Sequence, residues 1–115
     1  MEEHNTVDSI LKALHEMAEQ KEPISPHVWL EGCSKLLALV GAEQDKLFEM
    51  ESVLAKVRSV AMEMGSTASK AKVIAEARAE FLEARKLKAK IDRIFEMIKL
   101  GKVMAKMATD EYRAQ

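Results

Sequence analysis

The spacing of apolar residues between positions 29 and 64 constrains the fold of this chain more than any other feature. These residues are separated alternately by four and three positions, and only Glu43 interrupts the series: Trp29, Cys33, Leu36, Val40, Leu47, Met50, Leu54, Val57, Ala61 and Met64. A repeat that averages 3.5 residues keeps one stripe of a helix against a neighbouring helix, at a shallow left-handed angle. We therefore expect one long helix over residues 26–64, packed on a second helix of similar length.

A turn is predicted directly after this helix. Gly65 suits the left-handed conformation that ends many helices, and Ser66 or Thr67 can cap the next one. A second apolar stripe then follows: Ala71, Ile74, Ala77, Phe81, Ala84, Leu87, Ile91, Ile94, Ile98 and Gly101. We expect this helix over residues 67–107, followed by a short tail, and so short a link makes the two long helices antiparallel.

A shorter amphipathic helix is predicted before the hairpin. Asn5 or Thr6 can cap its start, and its apolar residues recur at helical spacing: Val7, Ile10, Leu11, Leu14, Met17 and Ala18. The Glu22-Pro23 pair ends it, because the residue before a proline disfavours the helical conformation. The Ser25-Pro26 pair then starts the next helix. This gives a first helix over residues 6–22.

Length and composition agree with an all-α fold. The chain has 115 residues, about one domain's worth, and we expect a single helical domain over residues 1–115. It is 48% hydrophobic and 32% charged but only 4% aromatic, which is typical of long helices and coiled coils. The predicted fold is a long antiparallel, coiled-coil-like helical hairpin with a shorter N-terminal helix.

Membrane and disulfide signals are weak in this sequence. It contains no apolar run of the length that crosses a bilayer, and residues 1–4 are acidic where a secretory signal would be basic. We expect a soluble cytoplasmic protein with no membrane partner. The single cysteine, Cys33, lies in the apolar series and is interpreted as a core residue.

More apolar residues are present than one hairpin can cover. Helix 26–64 carries several outside its main series: Leu30, Leu37, Leu39, Phe48, Val53 and Val60. Near the end of the last helix the apolar face widens, and we predict a partner-binding surface there: Met97, Ile98, Leu100, Met104 and Met107. Such a surplus favours self-association, most simply a homodimer that forms a helical bundle, or binding to a second protein.

The charges of the two halves are opposite. Residues 1–64 hold 12 acidic and six basic side chains, a net charge of −6, whereas residues 65–106 hold 11 basic and five acidic ones, a net charge of +6. The basic side chains include a cluster in the last helix: Arg85, Lys86, Lys88, Lys90 and Arg93. These residues either contact nucleic-acid phosphates or are solvated positions balanced by the acidic helix, and we favour the second interpretation.

Residues that could support catalysis are few. His15 and Glu19 have helical i, i+4 spacing, but an exposed hydrogen bond explains that pair better than a metal site. No phosphate-binding loop, zinc-protease motif or nucleophile elbow is present. We therefore predict no enzyme activity, no catalytic residue, no cofactor and no metal. Glu43 either sets the helix register, pairs with a lysine across the interface, or lies at its solvent edge.

Four segments carry a resemblance to a known group: VAMEMGST at residues 60–67, AKV at 71–73, EFLEAR at 80–85 and LKAKIDRI at 87–94. Over residues 60–107 the chain resembles small α-helical hairpin proteins of tailed bacteriophages and prophages. The resemblance implies a phage setting, in which such proteins are often encoded near recombination and replication genes. We therefore predict a protein-interaction module that acts as an adaptor or inhibitor of a nucleic-acid-processing machine. The alternative is a nucleic-acid-binding accessory protein that uses the basic third helix.

Overall fold

The computed structural model describes residues 6–20 and 24–114. In these segments the chain forms four α-helices and no strand: α1 (Val7–Glu19), α2 (Pro26–Glu63), α3 (Ala68–Glu76) and α4 (Ala79–Ala114). The all-α prediction is confirmed, and the helices on the two sides of the Gly65 turn run antiparallel. A helical bundle formed by dimerisation stays a prediction.

The contacts between residues group the described chain into two compact units. Unit 1 contains residues up to 41 together with those from 92 onward, and unit 2 contains residues 42–91. Unit 1 therefore holds α1, the first part of α2 and most of α4, whereas unit 2 holds the rest of α2, all of α3 and the start of α4. A single domain over residues 1–115 stays a prediction.

The ends of the helices show which local signals the sequence carries. The Thr6 hydroxyl accepts a hydrogen bond from the Ser9 backbone N–H at 3.2 Å and caps α1. The predicted first helix over residues 6–22 is too long, because α1 ends at Glu19 and Gln20 is already extended. The Glu22-Pro23 pair lies outside the described residues. Pro26 is the first residue of α2, as predicted.

The turn after α2 is stabilised by two backbone hydrogen bonds across its end. Gly65 has a φ of 101°, its N–H donates to the Met62 carbonyl, and the Ser66 N–H donates to the Ala61 carbonyl. This pair of bonds defines the Schellman arrangement, in which glycine takes the left-handed position without strain. The Thr67 hydroxyl then accepts from the Lys70 N–H and caps α3.

In unit 1, the apolar series of α2 packs into a core with α1 and α4. The buried residues of α2 are the predicted ones, Trp29, Cys33, Leu36 and Val40. They are joined by buried residues of the other two helices: Val7, Ile10, Leu14, Ile94, Ile98 and Ala105. The periodicity of the sequence thus identified the face that each of these helices buries.

Two glycines in unit 1 lie where another helix comes close. A methyl group added at Gly101 would clash with the Cys33 sulfur, and one added at Gly32 would approach a Leu14 methyl to 2.6 Å. At Gly41, by contrast, an added methyl group would meet nothing within 4 Å. Of these two glycines of α2, only Gly32 therefore lies in a close contact between helices.

We predict opposite effects for alanine at Gly101 and at Gly41. Gly101→Ala forces the Cys33 side chain out of its packed position and lowers the free energy of unfolding by about 1–3 kcal/mol. Gly41→Ala only improves helix propensity and raises the free energy of unfolding by about 0.5–1 kcal/mol. Urea unfolding of both variants measures the two changes. When Cys33 is first replaced by alanine, Gly101→Ala should lower the free energy of unfolding by less. An unchanged loss would contradict the contact between Gly101 and Cys33.

The predicted helix over residues 67–107 is wrong in its bounds. It is two helices, α3 and α4, and α4 continues to Ala114, where a short tail was expected. At the break the Ala77 N–H donates to the Val73 carbonyl, but the Arg78 N–H donates to Ala75, one residue nearer than in an α-helix. The Phe81 N–H then bonds to the Arg78 carbonyl as α4 begins.

Core packing in unit 2 explains why the helix is interrupted. Ala75 and Ala84 are both buried in one cluster with Leu54. They are nine residues apart, so an uninterrupted helix with 3.6 residues per turn would place them on opposite faces. The break changes the helical phase and brings both to α2. Before the break the predicted stripe is correct at Ala71, which is 1% exposed, but wrong at Ile74, which is 44% exposed while its neighbour Ala75 is only 3% exposed.

The change of phase makes a direct prediction. Ala75→Gln places a long amide in the core of unit 2 and should lower the free energy of unfolding by more than about 2 kcal/mol. Ala77→Gln makes the same chemical change at an exposed position and should alter it by no more than about 0.5 kcal/mol. Urea unfolding compares them. Equal losses of unfolding free energy at the two positions would mean that the break does not change which face of the helix is buried.

Candidate interaction surfaces

Glu43, the acidic residue in the apolar series, is paired across the helices of unit 2. Its Oε1 lies 3.6 Å from the Lys90 Nζ of α4, and the side chains of Glu43 and Lys90 are 13% and 25% exposed. Of the three roles left open by the sequence, pairing with a lysine across the interface is the one observed. A partly buried ion pair favours one register of α2 against α4. If either helix slid along the other, both charges would remain partly buried without a partner.

We predict a measurable coupling for this pair. A double-mutant cycle with Glu43→Gln and Lys90→Met should give a coupling energy of about 1 kcal/mol, because water is largely excluded from it. A matched cycle on the exposed Glu31–Lys35 pair, whose charged atoms are 3.4 Å apart, should give about 0.3–0.5 kcal/mol. Unfolding of the variants in denaturant supplies both values. Coupling no larger than in the exposed pair would exclude a register role.

The predicted basic cluster does not form one uniform cationic surface. Lys90 is used in the ion pair with Glu43, and the Arg85 guanidinium lies 5.9 Å from the centre of the Phe81 ring. Arg85 and Lys88 also line a depression of about 270 Å³ in unit 2. Its other charged lining residues are Arg58, Lys72, Glu51 and Glu76. Lys86 is exposed on α4, while Arg93 belongs to unit 1.

A second charged contact stabilises the break between α3 and α4. The Arg78 guanidinium donates two hydrogen bonds to the Glu80 carboxylate, at 3.2 and 3.3 Å. The backbone N–H of Glu80 and then the Arg78 side chain lower the pKa of the Glu80 carboxyl. Glu80 lies in the first turn of α4, where negative charge is favoured by the exposed N–H groups of the helix.

The predicted partner-binding surface is only partly accessible. Ile98 is 5% exposed and belongs to the core of unit 1, so it does not belong to a binding surface. Met97 and Met104 are half-buried, whereas Leu100 and Met107 are exposed. Ile98 was assigned to the surface because the apolar face of α4 is wide here, and sequence spacing alone does not separate its two sides.

In unit 1, an open groove of about 710 Å³ lies between α1 and α4. It is named the α1–α4 groove. Its apolar lining residues are Leu11, Met97 and Leu100. Charged or polar side chains complete the lining: Lys12, His15, Asp92, Arg93 and Glu96. His15 is also 3.1 Å from Glu19 in an exposed pair, as its spacing predicted. The groove thus joins an apolar floor to a rim of both charges.

In unit 2, a second open groove of about 840 Å³, the α2–α3 groove, lies between the end of α2 and α3. Its lining residues are Val53, Lys56, Val57, Val60, Ala61, Met64, Ser66, Ile74 and Arg78. Most of them are apolar, and Val53, Val60, Met64 and Ile74 are exposed. The spacing of apolar residues did not predict this site, although Val53 and Val60 are apolar residues one heptad apart and outside the main series.

The residues that the structure describes contain no cluster of three His, Cys, Asp or Glu side chains suited to a metal ion. The Cys33 thiol is buried and donates to the Ile98 carbonyl at 3.5 Å. Burial raises the pKa of Cys33, and the positive charge of Lys102 partly opposes the shift. No helix in the described segments is long and apolar enough to cross a membrane.

Comparison with known proteins returns no relative. No family model, no curated protein and no solved structure matches the chain. The resemblance to phage hairpin proteins therefore stays a prediction.

Proposed function

We propose that this protein is a non-enzymatic interaction module that binds an α-helical segment of another protein in the α2–α3 groove. The single observation that supports this most is the exposure of Val53, Val60, Met64 and Ile74 around one groove of about 840 Å³. Apolar side chains concentrated in one concave site gain free energy when a partner removes them from water.

The shape of the groove favours a helical partner. Its long wall is the end of α2, where Val53, Val57 and Val60 lie within two turns, and Ile74 of α3 forms part of the other wall. Two neighbouring helices leave a channel into which a third helix can pack with its own apolar stripe. Lys56 and Arg78 are its charged lining residues. Because Arg78 is already paired with Glu80, Lys56 is the residue that favours an acidic side chain on the flank of the partner helix.

The class of partner follows from the sequence resemblance. We propose that the protein is phage-encoded and acts as an adaptor or inhibitor of a host or phage machine that processes nucleic acid. Binding a helix of such a machine requires no catalytic group on this chain.

Direct binding of nucleic acid is the second candidate, and one observation favours it. Lys86 and Lys88 are exposed beside Arg85 on α4. Phosphate contacts by such residues would give affinity that falls steeply with salt and with charge reversal at Arg85, Lys86 and Arg93. The acidic side chains in the depression next to Arg85 weaken this candidate relative to the groove.

We predict that the interaction depends on Val60. Immobilised wild-type protein should retain a protein partner from a lysate of the cells that produce it. Retention should be similar at low and at high salt, because salt does not screen apolar contacts. Val60→Glu places a charge in the α2–α3 groove and should lower the amount of retained partner at least about tenfold. Affinity capture followed by mass spectrometry measures this loss.

Val73→Glu is the matched control, because Val73 is exposed on α3 but does not line the groove. It should retain the partner, and circular dichroism should show that both variants keep their helices. Equal loss from the two variants would exclude the groove as the binding site. Capture of nucleic acid that is released by salt would support the second candidate instead.

A further inference from the structure

The face of α4 that points away from the core of unit 1 carries a second heptad series, here named the outer stripe. It consists of Arg93, Glu96, Leu100, Val103, Met107 and Asp110, separated by three, four, three, four and three residues. Leu100, Val103 and Met107 at its centre are 38%, 50% and 52% exposed. A 4,3 series on an exposed helix face is the pattern by which two helices pack along their length.

The order of residues in the outer stripe is self-complementary at its centre and at its two ends. Its middle falls between residues 101 and 102, with apolar residues near the middle, a cation at one end and an anion at the other. Turning a second copy end to end places its Val103 against Leu100, its Met107 against Glu96 and its Asp110 against Arg93. A parallel arrangement would instead set Arg93 against Arg93 and Asp110 against Asp110, which is unfavourable.

We propose that the outer stripe pairs with the outer stripe of a second copy, antiparallel and about a two-fold axis between residues 101 and 102. Both copies then use the same surface, and each contact is made twice, as a closed symmetric dimer requires. The charge pairing favours a second copy, because the complement of Arg93 and Asp110 is present in the chain itself.

The α1–α4 groove extends the same interface. Arg93, Glu96 and Leu100 belong both to the outer stripe and to the lining of this groove, so a helix packed on the stripe also covers its mouth. The end of α4 of the second copy would bring Asp110 and Glu111 toward Arg93 and Lys12. The apolar floor, formed in part by Leu11 and Met97, would be removed from water by Met107 of the second copy.

The length of the outer stripe indicates how strongly the two copies should associate. Residues 93 to 110 span about 26 Å of helix, so the interface is small for a stable dimer. Dimerisation should therefore depend on protein concentration. This inference concerns a different surface from the α2–α3 groove, so either can fail without the other.

Sedimentation equilibrium over a range of concentrations tests the proposal on the full chain. Wild-type protein should change from one to two chains as concentration rises. Val103→Glu should raise the dissociation constant of the dimer at least about tenfold. Val28→Glu is the matched control on α2 of the same unit, also exposed but away from the stripe, and should leave the dissociation constant unchanged.

Charge exchange tests the antiparallel arrangement without disturbing the apolar centre. Arg93→Asp and Asp110→Arg should each weaken the dimer several-fold, because each places like charges together. The double variant should restore the wild-type dissociation constant. A monomer at every concentration, a dimer insensitive to Val103→Glu, or a double variant weaker than both single ones would overturn the proposal.

Discussion

The apolar stripe of α2 is the constraint on which the remaining structure depends. One helix from Pro26 to Glu63 presents a 4,3 series interrupted only by Glu43, and the other three helices of the described segments each cover part of it. In unit 1, α4 covers it closely enough that Gly101 lies against Cys33. In unit 2, α3 and the start of α4 cover it in two different phases, which requires the interruption at residues 77 and 78.

Polar groups determine where the helices stop and how they align, whereas apolar groups determine that they pack. The ion pair between Glu43 and Lys90 favours one alignment of α2 and α4 in unit 2. The Schellman turn at Gly65 and the cap at Thr67 fix the reversal of the chain. Burial of the apolar stripe alone would tolerate a shift of one heptad, and these local contacts oppose such a shift.

Much of this fold could be predicted from the sequence, because periodicity and capping are local signals. The start of α2 at Pro26, the Gly65 turn and the buried face of α2 as far as Ala61 all came from such signals, whereas Met64 at the end of the predicted series is exposed. The break between α3 and α4 could not be predicted, because Ala77 and Arg78 include neither glycine nor proline and the cause is tertiary. The same limit applies to the candidate sites. Ile98 is buried although its spacing suited a surface, and the α2–α3 groove requires α3 to lie in a phase that its sequence does not show.

The short length of α3 has a consequence for the α2–α3 groove. A helix of nine residues has too few internal hydrogen bonds to persist in water by itself, so its order comes from packing on α2. One wall of the groove is thus a long helix and the other is the element with the least intrinsic stability. If the α2–α3 groove binds a partner as proposed, the α3 wall is the one that adjusts to the occupant, and selectivity among apolar occupants comes from the α2 wall.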